Sequence, residues 1–172
     1  AVIEHQVQFD YYDGGGIDIA FLGMAQADKD GNVNVTKFSN RVVGSGGFIN
    51  ISQNARKVVY CGTFTAGGLK VAVDDGKLVI VQEGRVKKFV DEVDQITYSG
   101  KYACKVGQPA VYVTERAVFT LDENGLTLTE IAPGMDLEKD IIAHMGFIPL
   151  ISDELKVMDP RIFIPGRMGC FD

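Results

Sequence analysis

Three glycines and one serine fill four consecutive positions, residues 44–47, directly before a predicted helix. Glycines at the start of a helix leave the backbone amides open and tolerate positive φ angles. Such amides are the groups that bind a phosphate or stabilise a developing oxyanion. A cramped turn would also select glycine, and the pattern on its own favours that structural interpretation. This stretch, called the glycine corner below, is therefore a candidate site with two interpretations.

The glycine corner departs from the dinucleotide-binding fingerprint G-x-G-x-x-G at one position. Counted from Gly44, the last glycine of that fingerprint would stand at position 49, which is Ile49. An acidic residue at the distance needed for ribose binding is not evident either. The sequence therefore disfavours a Rossmann-type nucleotide site.

Metal sites are also disfavoured. Residues 28–32 (DKDGN) resemble the start of a calcium loop, but Ser39 stands where the bidentate glutamate belongs, so a plain turn is predicted. His5 and His144 lie far apart and near no cysteine pair. Residues 13–16 (DGGG) could form a phosphate nest, but a flexible lead-in to a strand is favoured.

Composition narrows the class of protein. The chain has 172 residues, 46% of them hydrophobic, which predicts one globular domain over residues 1–172. Its net charge of -6 argues against nucleic acid as the main partner. No apolar run reaches the roughly 18 residues of a membrane span. Cys61, Cys104 and Cys170 form no framework, which predicts reduced thiols and a cytoplasmic location.

The first half of the chain predicts alternating strands and helices. Residues 16–28 are apolar and rich in small residues, as a buried strand would be, and a turn follows at Asp30-Gly31. A helix is predicted from Phe48, because apolar residues recur there at helical spacing. A short strand over residues 58–64 follows that helix.

The second half predicts antiparallel hairpins. Their turns are centred on Asp75-Gly76, Glu83-Gly84 and Asn124-Gly125. A helix capped by Asp136 and ended by Gly146 comes next, and an irregular arm closes the chain. Glu115 and Arg116 stand between apolar residues as a buried ion pair or a partly exposed one. The fold class is therefore mixed α/β, and it looks incomplete at its front end.

Long segments of the chain resemble a known family. Residues 9–38, 44–71, 85–103, 111–119 and 128–147 resemble, in order, the C-terminal half of family I coenzyme A transferases. The resemblance is close to bacterial short-chain acyl-CoA:acetate/3-ketoacid and propionate CoA-transferases, and it covers nearly the whole chain. It implies an open three-layer α/β/α sheet of the NagB/RpiA-like type with added hairpins, truncated on its N-terminal side.

The resemblance also implies a reaction and its site residues. Such enzymes move CoA between carboxylic acids through a glutamyl-CoA thioester, and the nucleophilic glutamate lies upstream of the segment where this chain begins. The chain alone is therefore expected to be inactive. The glycine corner would supply the oxyanion hole, with Gly47 as first choice of donor and Gly46 next. Gln26, Asn34 and Phe48 match neighbourhoods near the CoA pocket.

Partners follow from the same resemblance. CoA is expected as a substrate, with no permanently bound cofactor and no metal. Acyl-CoA, a small carboxylate and the N-terminal half or subunit of the enzyme are the expected partners, and a homo-oligomer is expected. A non-catalytic module that binds CoA or a partner subunit is the alternative function.

Overall fold

A six-stranded mixed sheet lies at the centre of the fold. The computed structural model describes residues 2–38 and 41–169. The helices are α1 (His5–Asp13), α2 (Phe48–Asn54) and α3 (Gly100–Val106). The strands of the first half are β1 (Ala20–Gly23), β2 (Gln26–Ala27), β3 (Val33–Asn34), β4 (Lys37–Phe38), β5 (Arg41–Val42), β6 (Val58–Cys61) and β7 (Thr65–Ala66). Those of the second half are β8 (Lys70–Asp74), β9 (Lys77–Gln82), β10 (Val86–Lys87), β11 (Ala110–Val113), β12 (Ala117–Asp122), β13 (Gly125–Ile131) and β14 (Leu150–Val157).

The strand order of the central sheet is β1-β6-β11-β12-β13-β14. Strands β1, β6 and β11 run parallel, β11 to β13 form an antiparallel meander, and β14 runs parallel to β13. The remaining strands form four two-stranded ribbons, β2–β3, β4–β5, β7–β10 and β8–β9. This mixed sheet with helices confirms the predicted α/β class.

Two groups of aromatic side chains form a large part of the main core. Tyr60 and Tyr112 occupy the same register on β6 and β11, and their rings lie 5.1 Å apart. Phe64, Phe89 and Phe119 form a second aromatic group with centroids 4.8 to 6.4 Å apart. All five side chains are fully buried, so the residues Phe64 after β6 and Phe89 after β10 belong to the core although they lie outside the strands.

The predicted buried strand over residues 16–28 is wrong in length and position. The strand β1 covers four residues and pairs with β6 alone, so it lies at the edge of the sheet. Phe21 is 66% exposed as a result. The small apolar residues after Gly23 leave the sheet and form β2 instead, where Gln26 pairs with Asn34.

The hairpin predictions are mostly confirmed. Asp75 (φ 47°) and Gly76 (φ 70°) form the two-residue turn between β8 and β9. Glu123 and Asn124 link β12 to β13, and Gly125 opens the second strand. The predicted turn at Glu83-Gly84 is wrong, because β10 pairs with β7 and not with β9.

Helical prediction was less accurate than hairpin prediction. α2 begins at Phe48 as predicted, and the strand after it ends at Cys61 rather than at residue 64. Asp136 caps the later helix by accepting from the Lys139 amide at 2.8 Å, but the segment is a π-helical turn, Leu137–Ile141, followed by a 3-10 turn, Ile142–His144. α1, α3 and β14 were not predicted.

Candidate active site

The candidate site lies where the parallel strands end. Residues 24–27 follow β1, residues 62–66 follow β6, and Glu115 follows β11. Since these three strands are parallel, their carboxyl ends meet at one edge of the sheet. This edge is where open α/β sheets bind ligands.

A cavity of about 400 Å³ opens at this edge. Three polar side chains line it, those of Gln26, Lys88 and Asp94. Its apolar wall includes Met24 and Val86. The cavity is at the small end of the range for ligand sites, roughly 300 to 1,000 Å³, and it combines apolar walls with a few polar groups as such sites do.

Gln26 and Asn34 form one hydrogen-bonded unit beneath this cavity. Asn34 Nδ2 donates to Gln26 Oε1 at 2.6 Å and to the Lys37 carbonyl at 2.5 Å. Asn34 Oδ1 accepts from the amides of Thr36 and Lys37 at 2.9 and 3.1 Å. The buried Asn34 side chain is therefore saturated within the protein, whereas Gln26 reaches the cavity wall.

The glycine corner lies near the same edge. Phe48, the first residue of α2, stacks on Tyr60, the third residue of β6, with ring centroids 6.0 Å apart. The N-terminus of α2 therefore lies beside the second half of β6. Phe48 is half-buried and packs against the core, so its side chain fixes the corner and does not line the cavity described above.

The amides of Gly46 and Gly47 have no acceptor in the described part of the chain. Within residues 2–38 and 41–169 neither amide donates a hydrogen bond, although the next amide, that of Phe48, donates to the Ser45 carbonyl at 3.0 Å. Gly46 has a φ of 52°, and an added Cβ would meet nothing within 4 Å. At Gly47 an added Cβ would lie 2.8 Å from Phe9 Cζ. Position 46 therefore favours glycine because of its positive φ angle, and position 47 favours glycine because Phe9 occupies the space of a side chain.

A network of three charged side chains, largely buried, lies next to this edge of the sheet. The side chain of Arg116 is 0% exposed, and it binds Glu83 at 2.7 Å and Glu115 at 2.7 Å. Its guanidinium also lies 4.9 Å from the centre of the Phe64 ring. The structure lies between the two interpretations left open for this pair, because Arg116 is fully buried and Glu115 is 16% exposed. Glu83 is a third member of the network that the sequence did not predict.

The charge state of Glu83 follows from that network. Burial would raise the pKa of Glu83, but hydrogen bonds from Arg116, Thr65 and the Gly84 amide outweigh it and lower the pKa to about 2. Glu83 is therefore ionised at neutral pH and fully engaged. Instead of standing at a hairpin turn, Glu83 binds Arg116 through both of its carboxylate oxygens.

Lys88 is the cavity residue that sequence reasoning missed. It is only 7% exposed and follows Lys87, whose ammonium donates to the carbonyls of Ala143 and Met145 outside the cavity. The sequence around Lys88, EGRVKKFVD over residues 83–91, alternates charged and apolar residues, so nothing in it distinguishes Lys88 from the exposed Lys87.

The segment that resembles the start of a calcium loop forms a turn. The carboxylate of Asp28 accepts from the amides of Asp30 and Asn32 at 3.1 and 2.9 Å, which is the arrangement of a plain turn. Residues 2–38 and 41–169 contain no group of three or more His, Cys, Asp or Glu side chains that could hold a metal ion. Ser39 and Cys170 lie outside the described residues.

Two other candidates, the possible phosphate nest over residues 13–16 and His5, lie at the two ends of α1. Residues 14–16 end α1, and Asp13 binds the side-chain amides of Asn50 and Asn54 at 2.9 and 3.1 Å. His5 packs its ring against Phe9. No helix in the described part of the chain is long and apolar enough to cross a bilayer.

Comparison with known proteins gives a consistent result. The chain is 56% identical over 169 residues to acetate CoA-transferase YdiF of Escherichia coli K12, an alignment covering 98% of this chain and 32% of the relative. It is 54% identical over 168 residues to caffeate CoA-transferase of Acetobacterium woodii, covering 95% of this chain and 32% of the relative. No family model matches the chain.

The solved structures agree. The crystal structure of the acyl-CoA transferase YdiF apoenzyme from Escherichia coli O157:H7 superposes with a TM-score of 0.96 at 56% identity, covering 98% of this chain and 33% of that chain. Its thioester complex with CoA matches equally well. The chain spans about a third of the length of these relatives. Its sequence and fold therefore identify it as homologous to that third of the coenzyme A transferases.

Proposed function

We propose that the chain is part of an enzyme that transfers coenzyme A between a short-chain acyl-CoA and a carboxylate, of the acetate or 3-ketoacid type. One observation carries this proposal. YdiF has been crystallised as a thioester complex with CoA, and 98% of the present chain superposes on that structure. A reaction through an enzyme-bound thioester explains both the cavity at the sheet edge and the open amides of the glycine corner.

The attacking carboxylate is a glutamate outside these 172 residues. None of the residues that line the 400 Å³ cavity is a glutamate. The two glutamates of the buried ion network are both engaged, since Glu115 accepts from Arg116 and from the Phe64 amide, and Glu83 binds Arg116 through both oxygens. An engaged carboxylate is a poor nucleophile, so the 172-residue chain is inactive by itself.

The reaction proceeds in two halves. The glutamate oxygen attacks the thioester carbonyl of acyl-CoA, and CoA leaves as a thiolate, which gives a mixed anhydride. The thiolate then attacks the glutamyl carbonyl, releases the first acid as its carboxylate and forms the glutamyl-CoA thioester. A second carboxylate repeats these steps in reverse, takes the CoA and restores the glutamate. Every step develops negative charge on a carbonyl oxygen.

The glycine corner stabilises that charge. The amides of Gly47 and Gly46 donate to the oxyanion, with Gly47 as the first choice of donor. This assignment is supported by their free N–H groups and by the position of the corner at the carboxyl ends of the parallel strands. A preorganised amide stabilises an oxyanion by about 3 to 4 kcal/mol in such sites.

Three further residues prepare the site. Gln26 contacts CoA or the acyl group from the cavity wall, while Asn34 holds Gln26 in place through their 2.6 Å hydrogen bond. Phe48 fixes the glycine corner against Tyr60. In this assignment Asn34 and Phe48 act on the substrate through their neighbours.

The rest of the polypeptide or a partner subunit continues the sheet at β1. In the described part of the chain, β1 pairs with β6 alone, so its other side offers unpaired amides and carbonyls. Phe21 and Ile19 add exposed apolar surface there. The β1 amides should gain hydrogen-exchange protection in the full-length protein relative to this chain, and equal protection would refute this contact. Light scattering of the full-length protein tests the expected homo-oligomer.

The proposed function is tested on the full-length protein. It is mixed with acetyl-CoA or propionyl-CoA and isotopically labelled acetate, and label entering acetyl-CoA is measured. Mass spectrometry of the protein should show one covalently added CoA after incubation with acyl-CoA alone. Exchange without a covalent adduct would refute the thioester mechanism. CoA binding with neither exchange nor adduct would identify the non-catalytic module instead.

A further inference from the structure

Lys88 places a positive charge inside the cavity at the sheet edge. Its side chain is 7% exposed and lines the cavity together with Gln26 and Asp94. Within residues 2–38 and 41–169 the ammonium makes no hydrogen bond or ion pair. Buried ammonium groups are normally paired, because an isolated one costs several kcal/mol of hydration. A protein can keep such an unpaired ammonium when a bound ligand supplies the missing partner.

The carboxylates around Lys88 do not supply that partner. Burial lowers the pKa of Lys88, and Glu115 opposes that shift without reaching hydrogen-bonding distance. Both oxygens of Glu115 are occupied by Arg116 and the Phe64 amide. Asp94 is exposed at the cavity rim and makes no hydrogen bond to Lys88. The ammonium therefore faces a space that another anion can enter.

The backbone makes room for the ammonium at one glycine. A Cβ added to Gly62 would lie 2.7 Å from Lys88 Nζ, which is closer than side chains approach each other. Gly62 directly follows β6, so the ammonium is held at the carboxyl end of a parallel strand. A side chain at position 62 would push the Lys88 ammonium out of this place, while Lys88 itself would keep its charge.

The rest of the cavity suits a small organic acid. Met24, Phe38 and Val86 contribute apolar surface to the lining, in which Lys88 is the single cation and Asp94 the single carboxylate. An acyl chain with one carboxylate matches this combination, since the chain is buried against the wall and the carboxylate against the ammonium. A phosphate-rich group such as the nucleotide part of CoA would call for several cations or amides.

We propose that Lys88 binds the carboxylate of the small acid that accepts CoA. This inference rests on the proposed function and deepens it. Lys88 holds the free carboxylate next to the glutamyl-CoA thioester, with its oxygen directed at the thioester carbonyl, and it stabilises the acid released by the reverse step. Charge on the ammonium is unchanged throughout, so Lys88 acts by binding and orientation.

The test separates Lys88 from the rest of the machinery. Full-length protein is loaded with acyl-CoA, freed of excess substrate, and the enzyme-bound thioester is measured by mass spectrometry. Its disappearance is then followed with acetate and, separately, with hydroxylamine, a neutral nucleophile at neutral pH. Lys88→Met should slow the reaction with acetate roughly 10- to 100-fold, as loss of one hydrogen bond to a charged group would. The reaction with hydroxylamine should stay at the wild-type rate.

Two variants control this comparison. Lys87→Met removes the neighbouring charge, whose partners lie outside the cavity, and should leave both reactions unchanged. Gly62→Ala keeps the lysine but displaces its ammonium, so it should slow the acetate reaction alone. The melting temperature of Lys88→Met should equal or exceed that of the wild type, because an unpaired buried charge is removed.

The outcomes are distinguishable. If the wild-type protein forms no thioester, the proposed function fails. If it does, an unchanged acetate reaction in Lys88→Met overturns the assignment, and so does equal slowing of acetate and hydroxylamine. If Lys88→Met does not fold, Lys88 is structural, and an unchanged acetate reaction in Gly62→Ala then overturns the proposal.

Discussion

The guanidinium of Arg116 lies 2.7 Å from a carboxylate oxygen of Glu83, although 33 positions separate the two residues in the chain. The pair joins the turn after β11 to the segment between β9 and β10. It therefore connects the central sheet to the segment that leads into β10 and, directly after it, Lys88. Since Arg116 is wholly buried and Glu83 is partly so, the strength of this link determines how firmly the cavity wall is held.

Glu83→Gln should destabilise the protein by about 3 kcal/mol, because it removes one of two carboxylates that balance a buried guanidinium. Chemical denaturation of the full-length protein, followed by circular dichroism, measures this change. Glu92→Gln is the matched control, since Glu92 is exposed, and it should change the free energy of unfolding by less than about 0.5 kcal/mol. Equal effects of the two substitutions would show that the network contributes little.

Acid should weaken the same link in a predictable range. The pKa of Glu83 is about 2 in the folded protein against an ordinary value of 4.5, so the folded state binds this proton less readily than the unfolded state. The stabilisation is complete above the ordinary pKa and is lost as the pH falls towards 2. The free energy of unfolding of the wild type should therefore fall more steeply below pH 5 than that of Glu83→Gln. Parallel curves would contradict the lowered pKa.

Local patterns predicted those parts of the fold that local interactions determine. The Asp75-Gly76 turn depends on residues that accept positive φ, and the sequence shows them directly. Asp136 caps the next segment by accepting a hydrogen bond from the amide of Lys139, three residues later, which is again a local contact. The irregular helix after it was not predictable in the same way, because the π-helical turn depends on tertiary packing of Ile141 in the main core.

Long-range pairing explains what the sequence did not reveal. Strand β14 pairs in parallel with β13, and its exposed residues carry no clear alternation. Helix α3 has a Ser99 cap and a left-handed Gly107 at its end, signals that were present but lie in a region dominated by hairpin patterns. At the site, Lys88 and Gly62 meet only after β10 has paired with β7, which brings the residue that follows β10 next to the residue that follows β6. Residue type alone could not predict that meeting.

Gly100→Ala should destabilise the protein by about 1 to 3 kcal/mol, as overpacking a close contact does. An added Cβ would lie 2.1 Å from the Asp30 carbonyl oxygen, and the Gly100 amide also donates to Asn32 Oδ1 at 3.0 Å. The start of α3 would have to move away from the turn over residues 28–32. Gly23→Ala is the control, since an added Cβ there meets nothing within 4 Å. Thermal melts of both variants measure the difference, and a Gly100→Ala protein as stable as the control would contradict the close contact.

Gly46→Ala tests the oxyanion role of the glycine corner more cleanly than a change at Gly47, where a side chain would collide with Phe9. At Gly46 the φ of 52° costs alanine about 1 to 2 kcal/mol, but the methyl group has space in the free protein. If the substrate carbonyl approaches this amide, the methyl group holds it away, and kcat should fall roughly 100-fold.

Gly44→Ala supplies the control for this prediction, because Gly44 also has a positive φ, 86°, and open space for a Cβ. It should lose comparable stability and keep its kcat within a factor of about two, since the proposed donors are Gly46 and Gly47. The two variants are compared in the full-length protein by thermal melts and by exchange of labelled acetate into acyl-CoA. Equal losses of kcat would assign the effect to strain in the loop and remove Gly46 from the oxyanion hole.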